Sequence, residues 1–273
     1  VSAGSLSNLF VYATILVLLL ALITYSVALG GGESAKKNEN IGTAFTWLAF
    51  AILLAAVVLR GIASARAPWG NMYEFAITSG LAILGSYLFI TLKKDIKYLG
   101  VFVVLPTVLL LGLAVTVLYT ESGPLVPALR SGWLVVHVSA AIISYGAFSV
   151  NFALSLIVLL RGRFEFKRIP ITEKLDQLAY RTALFAFPIW TFSVIAGAIW
   201  AENAWGRYWG WDPKETWAFI TWVLYAAYLH ARATRGWSGK KSAWIAVAAY
   251  ASIVFNFFGV NLWITGLHSY AGV

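Results

Sequence analysis

A chain of 273 residues that is 60% hydrophobic and only 11% charged does not fit a single water-soluble core, because its apolar runs recur near the roughly 20 residues that cross a bilayer. It contains no cysteine, which excludes disulfides, thiolate metal sites and cysteine nucleophiles and leaves histidine or carboxylate as the only side chains for a metal. The net charge of +9 would point to nucleic acid in a soluble protein, but in a membrane protein it must first be divided among the loops.

Eight spans fit the apolar runs, at about 8–29, 43–60, 75–92, 98–119, 133–160, 182–201, 217–233 and 242–264. The expected fold is an all-α polytopic membrane protein with about eight transmembrane helices. The first run, Leu9 to Leu29, has no basic residue before it and exceeds a signal-peptide core, so it reads as a retained span. Alternate loops place 15 of the 20 Lys and Arg on one side. Arg60, Arg66, Arg130, Arg207 and Lys214 remain for the other, so the positive-inside rule puts both termini outside. The acids divide almost evenly, and the basic excess is therefore a topology signal; no nucleic-acid partner is expected.

After the first span, GGGESAKKNEN reads as a flexible polar turn and a candidate boundary. The expected division is an N-terminal two-helix segment, 1–63, and a core, 64–273. The outer loop Pro68-Trp69-Gly70-Asn71-Met72-Tyr73-Glu74 is richer in aromatic and polar groups than a bare connection needs. An interfacial belt with a helix cap accounts for it as well as a functional role does. On the inner side, Ile171 to Arg181 reads as a short amphipathic surface helix with a threonine N-cap. Ala196, Gly197 and Ala198 in the sixth span would let a neighbouring helix approach closely.

The chain is organised around Trp200 to His230, which holds six tryptophans in its first 23 residues and ends on one of three histidines. His137 lies just inside the outer start of the fifth span, and His268 follows Gly266 at the outer end of the eighth. Both flank the tryptophan-rich outer loop at about 200–217. Two neutral imidazoles beside aromatic rings suit axial ligation of a haem iron, although a lone histidine is more often a hydrogen-bonded packing residue. His230 sits near the inner end of the seventh span, beside Arg232. It reads either as a helix C-terminal cation or as half of a second bis-histidine site, whose other ligand must come from another subunit because this chain has no fourth histidine.

Within the loop, Trp205, Trp209, Trp211 and Trp217 are spaced by glycines and polar residues. Such rings could cover a porphyrin, or form an interfacial belt, though four within 13 residues exceed what anchoring needs. Asp212-Pro213-Lys214-Glu215 suggests acid and base chemistry, yet it is explained as a helix start with Asp212 at the N-cap, Pro213 at N1 and Glu215 at N3. Arg207 and Lys214 are placed to pair with carboxylates such as haem propionates.

The stretch WGRYWGWDPKETWAFITW resembles the tryptophan-rich WWD signature of the CcsA (ResC) family of system II cytochrome c biogenesis. The resemblance extends to LVVHVSAAIISY around His137, LDQLAYR, YLHAR around His230 and GLHSYA around His268, and covers about 64–273. It implies that His137 and His268 ligate haem b above the membrane, with the loop residues Trp205, Arg207, Trp209, Trp211, Asp212, Lys214 and Trp217 shaping the platform. His230 would be the intramembrane histidine that receives haem from the cytoplasmic side, its pair supplied by a CcsB (ResB) type partner. The implied activity is cytochrome c haem lyase: haem is carried outward and presented to the CXXCH motif of apocytochrome c, whose own thiols attack. The implied location is a bacterial cytoplasmic or thylakoid membrane, with the loop on the periplasmic or lumenal side. Two other readings stand beside it: a haem carrier resembling CcmC that makes no thioether bond, and a membrane scaffold without haem.

Overall fold

Apolar runs with few charges must satisfy their backbone hydrogen bonds internally, and helices are the local solution. The computed structural model describes residues 2–123, 127–161, 163–164 and 168–268. The described residues form α1 (Ala3–Leu29), α2 (Ala35–Ser64), α3 (Met72–Lys93), α4 (Gly100–Thr116), α5 (Gly132–Leu160), α6 (Thr172–Trp205), α7 (Pro213–Arg235) and α8 (Lys240–Val254). A π-helical turn, Phe255–Gly259, carries α8 into a last short helix, α9 (Val260–Trp263).

Among the described residues, seven helical stretches are long and apolar enough to cross a membrane, and the protein is a multi-pass helical membrane protein. The expected seventh span is helical as α7 but is not among the seven. Its Trp, Tyr, Thr and His side chains, with Arg232 and Arg235 at its end, lower its hydropathy. The segment expected as a separate surface helix at 171–181 is instead the first third of the 34-residue α6. Its N-cap position is Ile171, with no side-chain cap bond, rather than a threonine. The polar turn after α1 is also shorter than expected: α2 begins at Ala35, and Lys36 to Asn40 are helical.

Packing groups the described residues into two units, 2–123 with 163–164 and 168–170, and 127–161 with 171–268. In the first, α1 packs on α2 and α4, and α3 completes the ring against α2 and α4. Its interior is polar at two levels. Tyr25 hydrogen-bonds Thr43, Thr46 and Tyr87 at 3.0, 3.3 and 3.1 Å. Gly100 lies so close to the Tyr25 ring that a Cβ there would overlap it. At the other level Glu74, which is fully buried, accepts from Arg60 Nε at 3.0 Å, Arg66 Nη1 at 2.7 Å and the Gly70 N–H at 2.8 Å. Arg60 Nη2 also donates to the Thr120 carbonyl. The aromatic and polar loop at 68–74 is thus wound around a buried ion cluster.

In the second unit α5 packs on α6 and α8, and α7 on the same two helices. Its core is aromatic: Phe148 stacks on Tyr225 with ring centres 3.7 Å apart, and Trp190 and Tyr228 are buried beside them. Near the C-terminal end of α7, Asp176 accepts from Arg232 at 2.6 Å, Ser242 at 2.9 Å and the Gly239 N–H at 3.1 Å. The Arg232 guanidinium lies over Tyr180, 4.6 Å from the ring centre.

Candidate functional site

His137 is in the second turn of α5, a helix capped by Ser131, whose hydroxyl accepts the Trp133 N–H at 3.2 Å. Its Nδ1 lies 2.7 Å from the Ser193 carbonyl oxygen on α6. A carbonyl can only accept, so Nδ1 carries the proton and the ring lone pair is on Nε2. This approach depends on Gly197, where a Cβ would come within 2.7 Å of His137 Nδ1. The small residues expected to allow close helix contact thus admit an imidazole. One turn further along α6, Trp200 stacks on His137, with planes 8° apart and ring centres at 6.1 Å. Trp200 is held by its own Nε1–H, which donates to the Ala128 carbonyl at 2.9 Å.

His268 follows α9 and meets the same tryptophan from another direction, 5.5 Å from the Trp200 ring and 5.1 Å from Trp205. Its Nδ1 lies 2.7 Å from Asp212 Oδ2, and the Leu267 N–H donates to Asp212 Oδ1 at 2.6 Å. Burial raises the Asp212 pKa, but the bonds from His268, Leu267 and Lys214 outweigh it and hold the carboxyl below its usual value. Asp212 is thus ionised at neutral pH and accepts from the His268 Nδ1–H. Gly266 leaves room for the arrangement, since a Cβ there would lie 2.6 Å from Asp212 Oδ1.

The loop between α6 and α7 is a set of locked turns. Gly206 ends α6 in the left-handed region at φ 73°. Asp212 caps α7 through the Lys214 N–H at 3.2 Å, and Glu215 Oε2 accepts from both Gly210 and Asp212 at 2.8 and 3.1 Å. The capping box read from the sequence is present. Asp212 serves it while also holding His268, a second role that the local pattern did not show. Between the two bonds to Glu215, Trp211 is forced to φ 57°, a conformation rare for a bulky residue, and its indole is 64% exposed.

The remaining tryptophans go elsewhere. Trp209 and Trp211 form edge contacts with each other and with Phe219 on α7, at 5.7 to 6.5 Å. Trp217 packs against Phe255 in the π-turn at 4.3 Å. Arg207 is exposed, its guanidinium folded tightly over Gly210. Lys214 is half-buried, and its carbonyl accepts from Asn256 at 3.3 Å. His230 is exposed and stands 17 residues into α7, roughly 26 Å along the axis from the loop.

The structure therefore brings together His137, His268, Trp205 and Asp212 and leaves His230 apart. It adds Trp200, Ser193 and Gly197, which were not singled out as site residues. Their spacing of four and three places all three on one face of α6. The two imidazoles, each with its Nδ1 held by a protein acceptor, are the side chains here that could hold a haem iron.

A family model described as "Cytochrome C assembly protein" matches residues 7–268. The chain is 36% identical to "Cytochrome c biogenesis protein CcsA" of Guillardia theta, covering 94% of each. It is 40% identical to a protein so named in Prochlorococcus marinus, over 86% of this chain and 85% of that one. Among solved structures it is similar to "Cytochrome c Heme Lyase CcmF", with a TM-score of 0.74 at 21% identity over 94% of this chain. The match spans 47% of that longer chain and is a likeness of fold. On its sequence along nearly its whole length, the chain belongs to the CcsA family of cytochrome c assembly proteins.

Proposed function

We propose that this protein acts in cytochrome c maturation by carrying haem b to the outer face of the membrane and holding it, on His137 and His268, for covalent attachment to apocytochrome c. The observation that carries this reading is the pair of imidazoles against one tryptophan, each with its Nδ1 held by a different acceptor, Ser193 on α6 and Asp212 at the head of α7. Membership of the CcsA family supports it.

In this mechanism the chain supplies position rather than a nucleophile. Bound haem supplies two vinyl groups, across which the substrate cysteines add, each forming one S–C and one C–H bond with no net oxidation or reduction. His137, packed between α5 and α6, is the less movable ligand. His268, on the segment after α9, is the one that the histidine of CXXCH displaces on release. Asp212 sets the orientation of His268. Trp200 and Trp205, which pack against the imidazoles, exclude water there, while Trp209, Trp211 and Trp217 brace the loop through Phe219 and Phe255, and Arg207 and Lys214 meet the propionates. The exposed His230 receives haem at the cytoplasmic side, paired with a histidine of a CcsB (ResB) type subunit in the bacterial cytoplasmic or thylakoid membrane.

The absorption spectrum of the protein purified with a ResB-type partner tests this. Wild type is expected to show a Soret band that falls below about a tenth in His137→Ala/His268→Ala; an undiminished band overturns the site. Production of a covalent cytochrome c in a host lacking other maturation systems tests attachment. Haem binding without thioether bonds would leave a carrier. For the inner site, His230→Ala is expected to lower haem at the outer site, and unchanged loading would rule out the path.

A further inference from the structure

The first unit, which contains none of the three histidines, holds a cavity of its own. A cavity of about 370 Å³ opens between the start of α2, the end of α3 and the 3₁₀ turn Lys97–Leu99, and four lysines line it: Lys36, Lys93, Lys94 and Lys97. Two acids share the lining, Asp95 and Glu39. Glu39 is already matched, because Arg168 grips both its oxygens at 2.8 and 3.4 Å. Among the described residues of the lining, Asp95 is then the only carboxylate set against the four ammonium groups.

The lysines are also partly positioned. Lys97 Nζ donates to Asn40 Oδ1 at 2.6 Å, and Lys93 Nζ lies 4.6 Å over the Phe89 ring. Gathering four like charges around one cavity costs repulsion that an oxyanion relieves, and ammonium groups bind phosphate as point charges. The neighbouring side chains indicate what carries that oxyanion. Leu92 also lines the cavity and is 68% exposed, and Phe89 is 56% exposed, both on a helix apolar enough to span a membrane. The required ligand is anionic at one end and apolar beyond it.

We propose that this cavity binds the phosphate of an anionic phospholipid headgroup, with Lys93, Lys94 and Lys97 as its principal contacts and the acyl chains running along the exposed face of α3. The site is separate from the haem reading above and stands or falls without it.

Native mass spectrometry of the intact protein, released from nanodiscs containing equal phosphatidylglycerol and phosphatidylcholine, tests the proposal. Wild type is expected to retain phosphatidylglycerol preferentially. Neutralising Lys93→Gln, Lys94→Gln and Lys97→Gln should weaken retention by roughly fivefold per lysine, while the three Lys→Arg replacements should keep it. Circular dichroism confirms that each variant remains helical. Neutralising three basic residues of the other unit, Arg235→Gln, Lys240→Gln and Lys241→Gln, controls for general attraction to anionic membranes. An equal loss in that control, or no loss in the cavity variant, overturns the site. Displacement of the lipid by millimolar inorganic phosphate would show a site for a soluble oxyanion and overturn the lipid assignment.

Discussion

Both units close four long helices into a ring in chain order, and the Glu74 cluster of the first and the two paired histidines of the second use buried ionisable groups in contrasting ways. In the first, Glu74 is saturated: two guanidinium groups and the Gly70 N–H converge on its carboxylate, while its own N–H donates to the Asn71 cap. Nothing about that cluster is left to react, and its energy goes into holding α2, α3 and the loops at their ends. In the second, His137 and His268 each commit Nδ1 to a protein acceptor, which fixes the rings against Trp200. The same need to satisfy buried polar groups yields a brace in one unit and two oriented imidazoles in the other.

The sharpest way to break this contrast is Glu74→Ala, which strands two arginines, one of them fully buried. Removing one partner of a buried ion cluster costs about 3–5 kcal/mol. The thermal midpoint in detergent should fall more in this variant than in any below. Asp212→Asn separates cap from ligand support, because asparagine caps a helix as well as aspartate but is uncharged. Haem affinity, read by titration of the Soret band, should fall roughly 10- to 100-fold while the thermal midpoint changes little. Gly197→Ala reverses the usual helix preference: alanine favours the helix, but its Cβ would meet His137 at 2.7 Å. A net loss of about 1–3 kcal/mol is expected from overpacking, with a lower Soret absorbance at matched protein concentration. The smallest effect belongs to Arg168→Gln, whose guanidinium is 37% exposed and whose ion pair with Glu39 should contribute at most about 1 kcal/mol in thermal unfolding.

Span positions, the capping box at Asp212 and the three histidines were all legible because each has a local signature: an apolar run, a four-residue pattern, a rare residue type. Less local features were not. The 171–181 segment is amphipathic by itself, and only its continuity with the following residues makes it part of α6. Residues 36–40 look like a turn by composition, but Glu39 is paired with a residue 129 positions away, and such a partner has no trace in the neighbouring sequence. Trp200 lay in the stretch that drew attention, yet Trp205 to Trp217 seemed the richer cluster. The face shared by Ser193, Gly197 and Trp200 becomes meaningful once His137 is known to pack on it. The backbone of Trp211 follows the same logic, since two bonds to Glu215 impose a left-handed turn that tryptophan itself does not favour.

The pairing of Glu39 with Arg168 has a consequence during synthesis. Elongation at roughly 5–20 residues per second separates the making of these two side chains by about 6–26 s. When α4 ends at Thr116 all four of these helices are made, while the guanidinium that matches Glu39 has yet to be translated. The first unit is therefore not finished when its four helices are made: its last ion pair waits for the ribosome to pass α5, and an arrest between the fourth and fifth helices would leave that acid unmatched.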